Sequence, residues 1–306
     1  MALGAALAAP AGAATLLDFS VYSLGDYASS GGGSTIDGRV AVAGNASINA
    51  ESIGAGLTSA ASQTPVVIAG GNLSYDNSTL RYGSVVYGGA NNSGQWTQVQ
   101  TPNGTVTQGN PLDFSSLNDI ASGYSTSLSR LDANGAFSAL YGAGTLTASS
   151  SGLNVFFLNA ADLASVSSLK LVGDSGGKVV INVDASDISK HLSFDMGGYA
   201  SDSVLFNFYN ASNVALGGWQ FGGSVLAPDA LVTLRGSSIL GNIVAGDFQS
   251  AGSHVGGNGY AGYFDAGRLS AIPEPDTWLM LLAGFTLAGI MIRRRRRQSS
   301  VASVVA

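Results

Sequence analysis

The sequence predicts a mainly β protein: an irregular right-handed β-solenoid, one amphipathic helix packed alongside, and a single membrane-spanning helix at the C-terminus. Three observations carry this. Short apolar runs recur, each closed by Gly or Asn, which is what the rungs of a β-solenoid require. One stretch alone, from Phe114 to Leu131, sets its apolar residues at steps of three and four. An uncharged block from Trp278 to Ile292 is closed by five consecutive arginines, Arg293, Arg294, Arg295, Arg296 and Arg297. A β-sandwich of short antiparallel strands is the competing arrangement, and local pattern alone does not exclude it.

The N-terminus reads as the remnant of an export signal. Residues 2–14 are small and apolar, and Ala11-Gly12-Ala13 supplies an A-x-A-like cleavage site. A signal peptide also carries a basic segment and a longer apolar core. Neither is present, so residues 1–14 read as the end of a longer leader.

A β-rich domain is expected over 15–268. Val40 and Val42 alternate with small residues between Gly38 and Gly44-Asn45, a short strand bounded by turns. The pattern returns at Val66–Asn72, Gly83–Gly89, Gly223–Pro228 and Gly241–Asp247. Gly and Asn at the corners are expected to take up left-handed backbone. Spacing between repeats is uneven, so the coils are expected to be uneven too. The helix follows Pro111, with Asp113 or Ser115 as cap and Asn134-Gly135 as its end. Its other face is Ser, Asn and Thr, so its apolar stripe must lie on the β body as a brace. Further strands follow at Leu153–Asn159, Leu169–Val172, Val179–Val183 and Val204–Tyr209. Val179–Val183 and Val204–Tyr209 read as buried.

Composition narrows the function. Gly is 43 of 306 residues and charged residues are 10%. Setting aside the arginines from 293 to 297 leaves 13 − 5 = 8 basic residues; setting aside Glu274 and Asp276 leaves 19 − 2 = 17 acidic ones. A domain near 8 − 17 = −9 argues against nucleic acid, whose phosphates call for clustered Lys and Arg. It suits neutral polysaccharide, other proteins or cations. There is no cysteine, hence no disulfide and no thiolate metal site.

Catalytic chemistry is thin. His191 and His254 are the two histidines; no nucleophile elbow or P-loop occurs. Asp184, Asp187 and Asp195 lie near Lys190 and His191 in sequence, and paired carboxylates would serve glycoside hydrolysis or calcium, though the segment lacks a calcium-loop spacing. A polysaccharide-active solenoid hydrolase or lyase is therefore the enzymatic alternative. The preferred reading names no catalytic residue, no cofactor and no metal.

The tail states where the domain goes. Fifteen helical residues, Trp278 to Ile292, rise about 22 Å against a hydrocarbon core of about 30 Å; arginine stems extend the reach by snorkelling. Arg293, Arg294, Arg295, Arg296 and Arg297 act as the cytoplasmic stop, which places the domain across the membrane and leaves 298–306 as a cytoplasmic tail.

Two resemblances add to this. Pro273-Glu274-Pro275, a short apolar span and a terminal arginine cluster resemble the PEP-CTERM sorting signal over 272–297. The resemblance implies a membrane-embedded exosortase as processing partner, only transient residence in the inner membrane, a Gram-negative cell that makes exopolysaccharide, and delivery to the surface or matrix. The stretches Phe19–Asn45 and Gly223–Gly246 together resemble the two ends of the choice-of-anchor A domain, an adhesive extracellular family without catalytic residues to transfer. The order of strands, one helix and more strands is similar to ice-binding-type solenoids. Ice binding itself would call for regular outward threonine rows, and threonine is scattered here.

Overall fold

The computed structural model describes residues 14–260, apart from 59–64, 95–97, 100–103, 111, 190, 219 and 258. These all fall within the first of two contact-defined units, Met1–Phe264; the second is Asp265–Ala306.

Each coil lays down three short strands, one on each of three faces. In the first coil they are Val21–Ser23, Tyr27–Ser29 and Ser34–Ile36; in the next, Val40–Val42, Ala46–Asn49 and Glu51–Ile53. Pro65–Ala69, Leu73–Asp76 and Thr79–Leu80 make the third. Coils stack in parallel and in register, Val21 on Val40 and Val40 on Val67. Among the described strands the only antiparallel pair is Ala136–Leu140 with Ala143–Thr147. The parallel stack settles the choice between solenoid and sandwich, because a sandwich is built of antiparallel pairs.

Spatial order departs from chain order. Along the first face the strands run Val106–Gln108, Ser84–Tyr87, Pro65–Ala69, Val40–Val42, Val21–Ser23, Ile243–Ala251, Ser224–Arg235, Val204–Asn207, Lys178–Asp184, Leu153–Asn159. The chain thus starts mid-stack and builds to one end. It restarts at the other end and builds back, until its last coil closes on its first. Val21 pairs with Val40 on one side and Ile243 on the other.

Helix α1 (Phe114–Ser129) ties the two halves together. Asp113 caps it, accepting from the Ser116 N–H at 3.1 Å. The helix ends at Arg130 and not at Asn134-Gly135; the Asn134 side chain instead accepts from the Val155 N–H at 2.7 Å. Near its start, Tyr22 of the first coil donates to Asn118 at 2.7 Å. Near its end, Ser125 donates to Asn207 at 2.6 Å and the Asn182 amide donates to the Leu128 carbonyl at 2.8 Å. Leu117, Ala121, Tyr124 and Leu128 form its buried stripe. Except at its end strand, Val106–Gln108, the first face is consequently covered on both sides. Val40 and Val42 point into the solenoid core, while Ala41, Ile68, Leu226 and Val244 are equally buried on the other surface.

At the corner between the first and second faces a Gly-Asx pair recurs: Gly25-Asp26, Gly44-Asn45, Gly71-Asn72 and Gly246-Asp247. Acidic and amide side chains here accept a backbone N–H from one coil along. Asp26 N–H reaches Asp247 at 2.7 Å, Asn45 N–H reaches Asp26 at 2.7 Å, and Asn72 N–H reaches Asn45 at 3.0 Å. These glycines do not have positive φ, contrary to the left-handed corners the sequence suggested. They are small because a Cβ on Gly25 or Gly44 would collide with the carboxylate that completes the ladder. Left-handed backbone does occur at Gly83 and Gly223, which open two of the expected repeats, and also at Gly54 and Asn77.

Among the described residues no helix is long and apolar enough to cross a membrane. The expected sorting tail lies outside the described residues: Pro273, Glu274 and Pro275, the span from Trp278 to Ile292, and the stop at Arg293, Arg294, Arg295, Arg296 and Arg297. So do Ala11 and Ala13 of the expected leader cleavage site.

Candidate binding surface

With the first face under α1, parallel register turns each of the other two faces into rows of side chains. On the third face Gln220, Ser238, His254, Thr35, Ser52 and Thr79 stand in one row across six successive strands. Their neighbours on the strands, Ile36, Ile53, Ile239 and Val255, point inward to the core, so the row faces out by the two-residue alternation of strands. The rungs are about 4.8 Å apart, so the row runs about 24 Å. Every position carries a hydrogen-bonding group. His254 Nε2 lies 3.0 Å from Asp37 Oδ2, joining last coil to first. The histidine is therefore half-exposed on a strand, neither a loop residue nor a core one.

The second face repeats the geometry with poorer chemistry. Its row is Ser74, Ser47, Ala28, Gln249, Thr233 and Ala215, interrupted twice by alanine. A depression of about 160 Å³ lies where Ala28 and Ala251 leave room beside Thr233, Arg235 and Gln249. A larger trough of about 370 Å³ lies over Ala143, Thr145, Ser168, Lys170, Ser193 and Asp195. Lys170 and Asp195 pair across it at 3.5 Å. The Gly197 N–H, more than the lysine, holds the Asp195 carboxyl below its ordinary range.

The carboxylates that sequence proximity grouped do not share a cleft. Asp184 ends a first-face strand and accepts from Asn210 at 2.7 Å. Asp187 is on the second face and accepts from Asn213 at 2.9 Å. Asp195 belongs to the sheet beyond the third face. Each is satisfied by the coil beside it. His191 Nδ1 lies 3.0 Å from the Gly217 carbonyl, and Lys190 lies outside the described residues. Among the described residues no group of three or more His, Cys, Asp or Glu could hold a metal.

One cluster escaped the sequence reading. Glu51 is buried inside the solenoid where the first, second and last coils meet. Tyr27 Oη and Ser250 Oγ each bond to its carboxylate, and they lie 2.9 Å from one another. Burial raises the Glu51 pKa, against the hydrogen bonds from Ser250, Tyr27 and Ser34 that lower it. The available signal was parity: Glu51 shares the inward side of its strand with Ile53. Closed off from solvent, the cluster is structural.

The family described as "Putative Ice-binding-like adhesive domain" matches residues 12–256, and the PEP-CTERM protein-sorting motif matches 271–297. The family matched is an adhesive one, as the resemblance to choice-of-anchor A domains implied, and the sorting motif is the one its residues suggested. No curated protein matches the chain. Similar solved structures include an ice-binding protein from the Antarctic ascomycete Antarctomyces psychrotrophicus, 14% identical, with 79% of this chain and 95% of that one covered and a TM-score of 0.45. The Shewanella frigidimarina ice-binding protein 1 domain is 14% identical, with 79% and 95% covered and a TM-score of 0.38. The ice-binding protein LeIBP from Arctic yeast is 15% identical, with 79% and 91% covered and a TM-score of 0.36.

Proposed function

The chain belongs to the ice-binding-like adhesive domain family and ends in a PEP-CTERM sorting motif, and from these we propose an exported adhesin that works at the cell surface or in the extracellular matrix. Its ligand is polysaccharide, or the sugar-bearing surface of another protein, held along the third face. The observation that carries this reading is the unbroken row Gln220, Ser238, His254, Thr35, Ser52, Thr79. A rigid line of mostly neutral donors and acceptors at one-strand spacing offers an extended chain of hydroxyls many small, equal contacts. Such binding is broad in specificity and weakly dependent on salt, since few charges take part. Ice is less well served, because only Thr35 and Thr79 in the row are threonine.

Delivery follows from the tail. An exosortase in the inner membrane recognises Pro273-Glu274-Pro275 while Trp278 to Ile292 spans the bilayer and the arginines from Arg293 to Arg297 stay on the cytoplasmic side. Processing then releases the domain outward. Ala11 and Ala13 mark the leader cleavage site at the other end.

Binding to the host's own exopolysaccharide tests the reading. Replacing Thr35 and Ser52 by Glu should lower retention at least tenfold, and the same change at Ser47 on the second face should leave it intact. Equal retention by all three proteins would remove the third face as the binding surface.

A further inference from the structure

The strand Ala136–Leu140 stands apart from every other in the solenoid. It pairs antiparallel with Ala143–Thr147 on one side and is the outermost strand of its sheet, whose order continues through Ser168–Val172 to Ser193–Asp195. Among the described residues nothing pairs with its outer edge. Its side chains are exposed on both surfaces: Ala136, Ser138, Ala139 and Leu140 are open and only Phe137 is half-buried. Leu140 is 68% exposed and Tyr141, at the turn that follows, 99%. Exposed edges are ordinarily blunted by lysine, proline or a bulge, because a row of free N–H and C=O groups recruits another strand. Ala-Phe-Ser-Ala-Leu has none of these, and its ladder with Ala143–Thr147 runs without a break.

The geometry points to a second copy of this chain as the occupant, paired edge to edge about a two-fold axis through Ser138. Two features select a copy over a foreign strand. An antiparallel pairing centred on Ser138 sets Ala136 opposite Leu140 of the second copy and Phe137 opposite Ala139, so each large side chain meets a small one; Ser138 meets Ser138. A strand that is complementary to itself is what a two-fold interface demands. Charge is the second feature. The domain carries about −9, which opposes self-association elsewhere, yet residues 133–161 contain no charged side chain. Pairing here joins the two four-stranded sheets into one of eight and leaves the third-face rows of both copies open. For a surface adhesin two linked faces raise retention by effective concentration, although the pairing itself does not depend on the ligand.

The absence of cysteine makes the test direct. In the full-length protein in its host, Ser138→Cys should give a disulfide-linked dimer on mild copper-phenanthroline oxidation. Opposed strand residues have Cβ atoms about 4.5–5.5 Å apart, at the edge of the range a disulfide bridges. Ser47→Cys, exposed on the second face, should link at least tenfold more slowly. Register is read separately: Ala136→Cys and Leu140→Cys should link to each other when co-expressed and not when expressed alone. The inference is overturned if Ser138→Cys links no faster than Ser47→Cys, if it links only to other proteins, or if Ala136→Cys links to itself as readily as to Leu140→Cys.

Discussion

The buried glutamate gives the sharpest quantitative expectation. Three contacts converge at the closing coils: Tyr27 with Glu51, Ser250 with Glu51, and Tyr27 with Ser250. With Glu51 ionised, the hydroxyls of Tyr27 and Ser250 supply two protons for those three contacts. One pair of oxygens must then face each other without a hydrogen. A protonated Glu51 supplies the third and closes the set. The Glu51→Gln amide would do the same, its nitrogen donating to Ser250, Ser250 donating to Tyr27, and Tyr27 donating to the amide oxygen. Leaving one buried polar group unsatisfied costs about 1–3 kcal/mol, so Glu51→Gln should be more stable than the parent by about that amount at pH 8. For a domain of this size each kcal/mol moves Tm by about 2–4 °C. The direction with pH follows from the raised pKa. Folded Glu51 holds its proton to higher pH than the unfolded chain, so this contribution is complete below about pH 4.3, the unfolded value. It is lost as pH rises through the folded pKa. Thermal unfolding of both proteins between pH 4 and pH 8 isolates this one group, because every other carboxylate cancels in the difference. A gap between variant and parent that widens with pH agrees with the reasoning; a constant gap, or a less stable variant at pH 8, would refute it.

Asn207→Ala removes the group that Ser125 donates to at 2.6 Å and that donates to Asn182 at 2.7 Å, and should cost about 2–4 kcal/mol in urea unfolding through the two partners it strands. Gly44→Ala meets the Asp26 carboxylate and the Gly25 carbonyl, so overpacking of about 1–3 kcal/mol is expected. Gly123→Ala, on α1 with open space around its Cα, should instead stabilise by about 0.5–1 kcal/mol. The two glycine variants, measured side by side, separate close approach from chain flexibility. A tail with Glu274→Ala should slow processing, read as full-length protein accumulating in the inner-membrane fraction.

How much could be read in advance depended on burial. Strands under α1 announced themselves because both their surfaces are covered, which writes Val66-Val67-Ile68 and Val179-Val180-Ile181 as continuous apolar runs. The stripe of α1 was equally legible, since Leu117, Ala121, Tyr124 and Leu128 fall at helical spacing. Strands such as Tyr27–Ser29 and Ser34–Ile36 were missed. Three residues, with the middle one outward, give period-two alternation too few repeats to register. Coil order was out of reach for another reason. Val21 looks the same whether its neighbour is Val40 or Ile243, more than 200 residues on, and no local pattern distinguishes a stack that grows outward from one that closes on its own beginning. The binding row was hidden likewise: Thr35, Ser52 and His254 are ordinary singly and become a surface only through register. Proximity of Asp184, Asp187 and Asp195 in sequence misled because consecutive strands of a coil point away from one another on different faces.

The central claim, a sorted and processed surface adhesin, is tested most directly by the intact mass of the mature protein from its native host together with cell fractionation. The account predicts loss of everything beyond about Pro275, with the protein recovered in the surface or matrix fraction. Recovery in the inner membrane at a mass that still includes Arg293 to Arg297 would contradict it, and would leave a retained, single-span protein facing the periplasm.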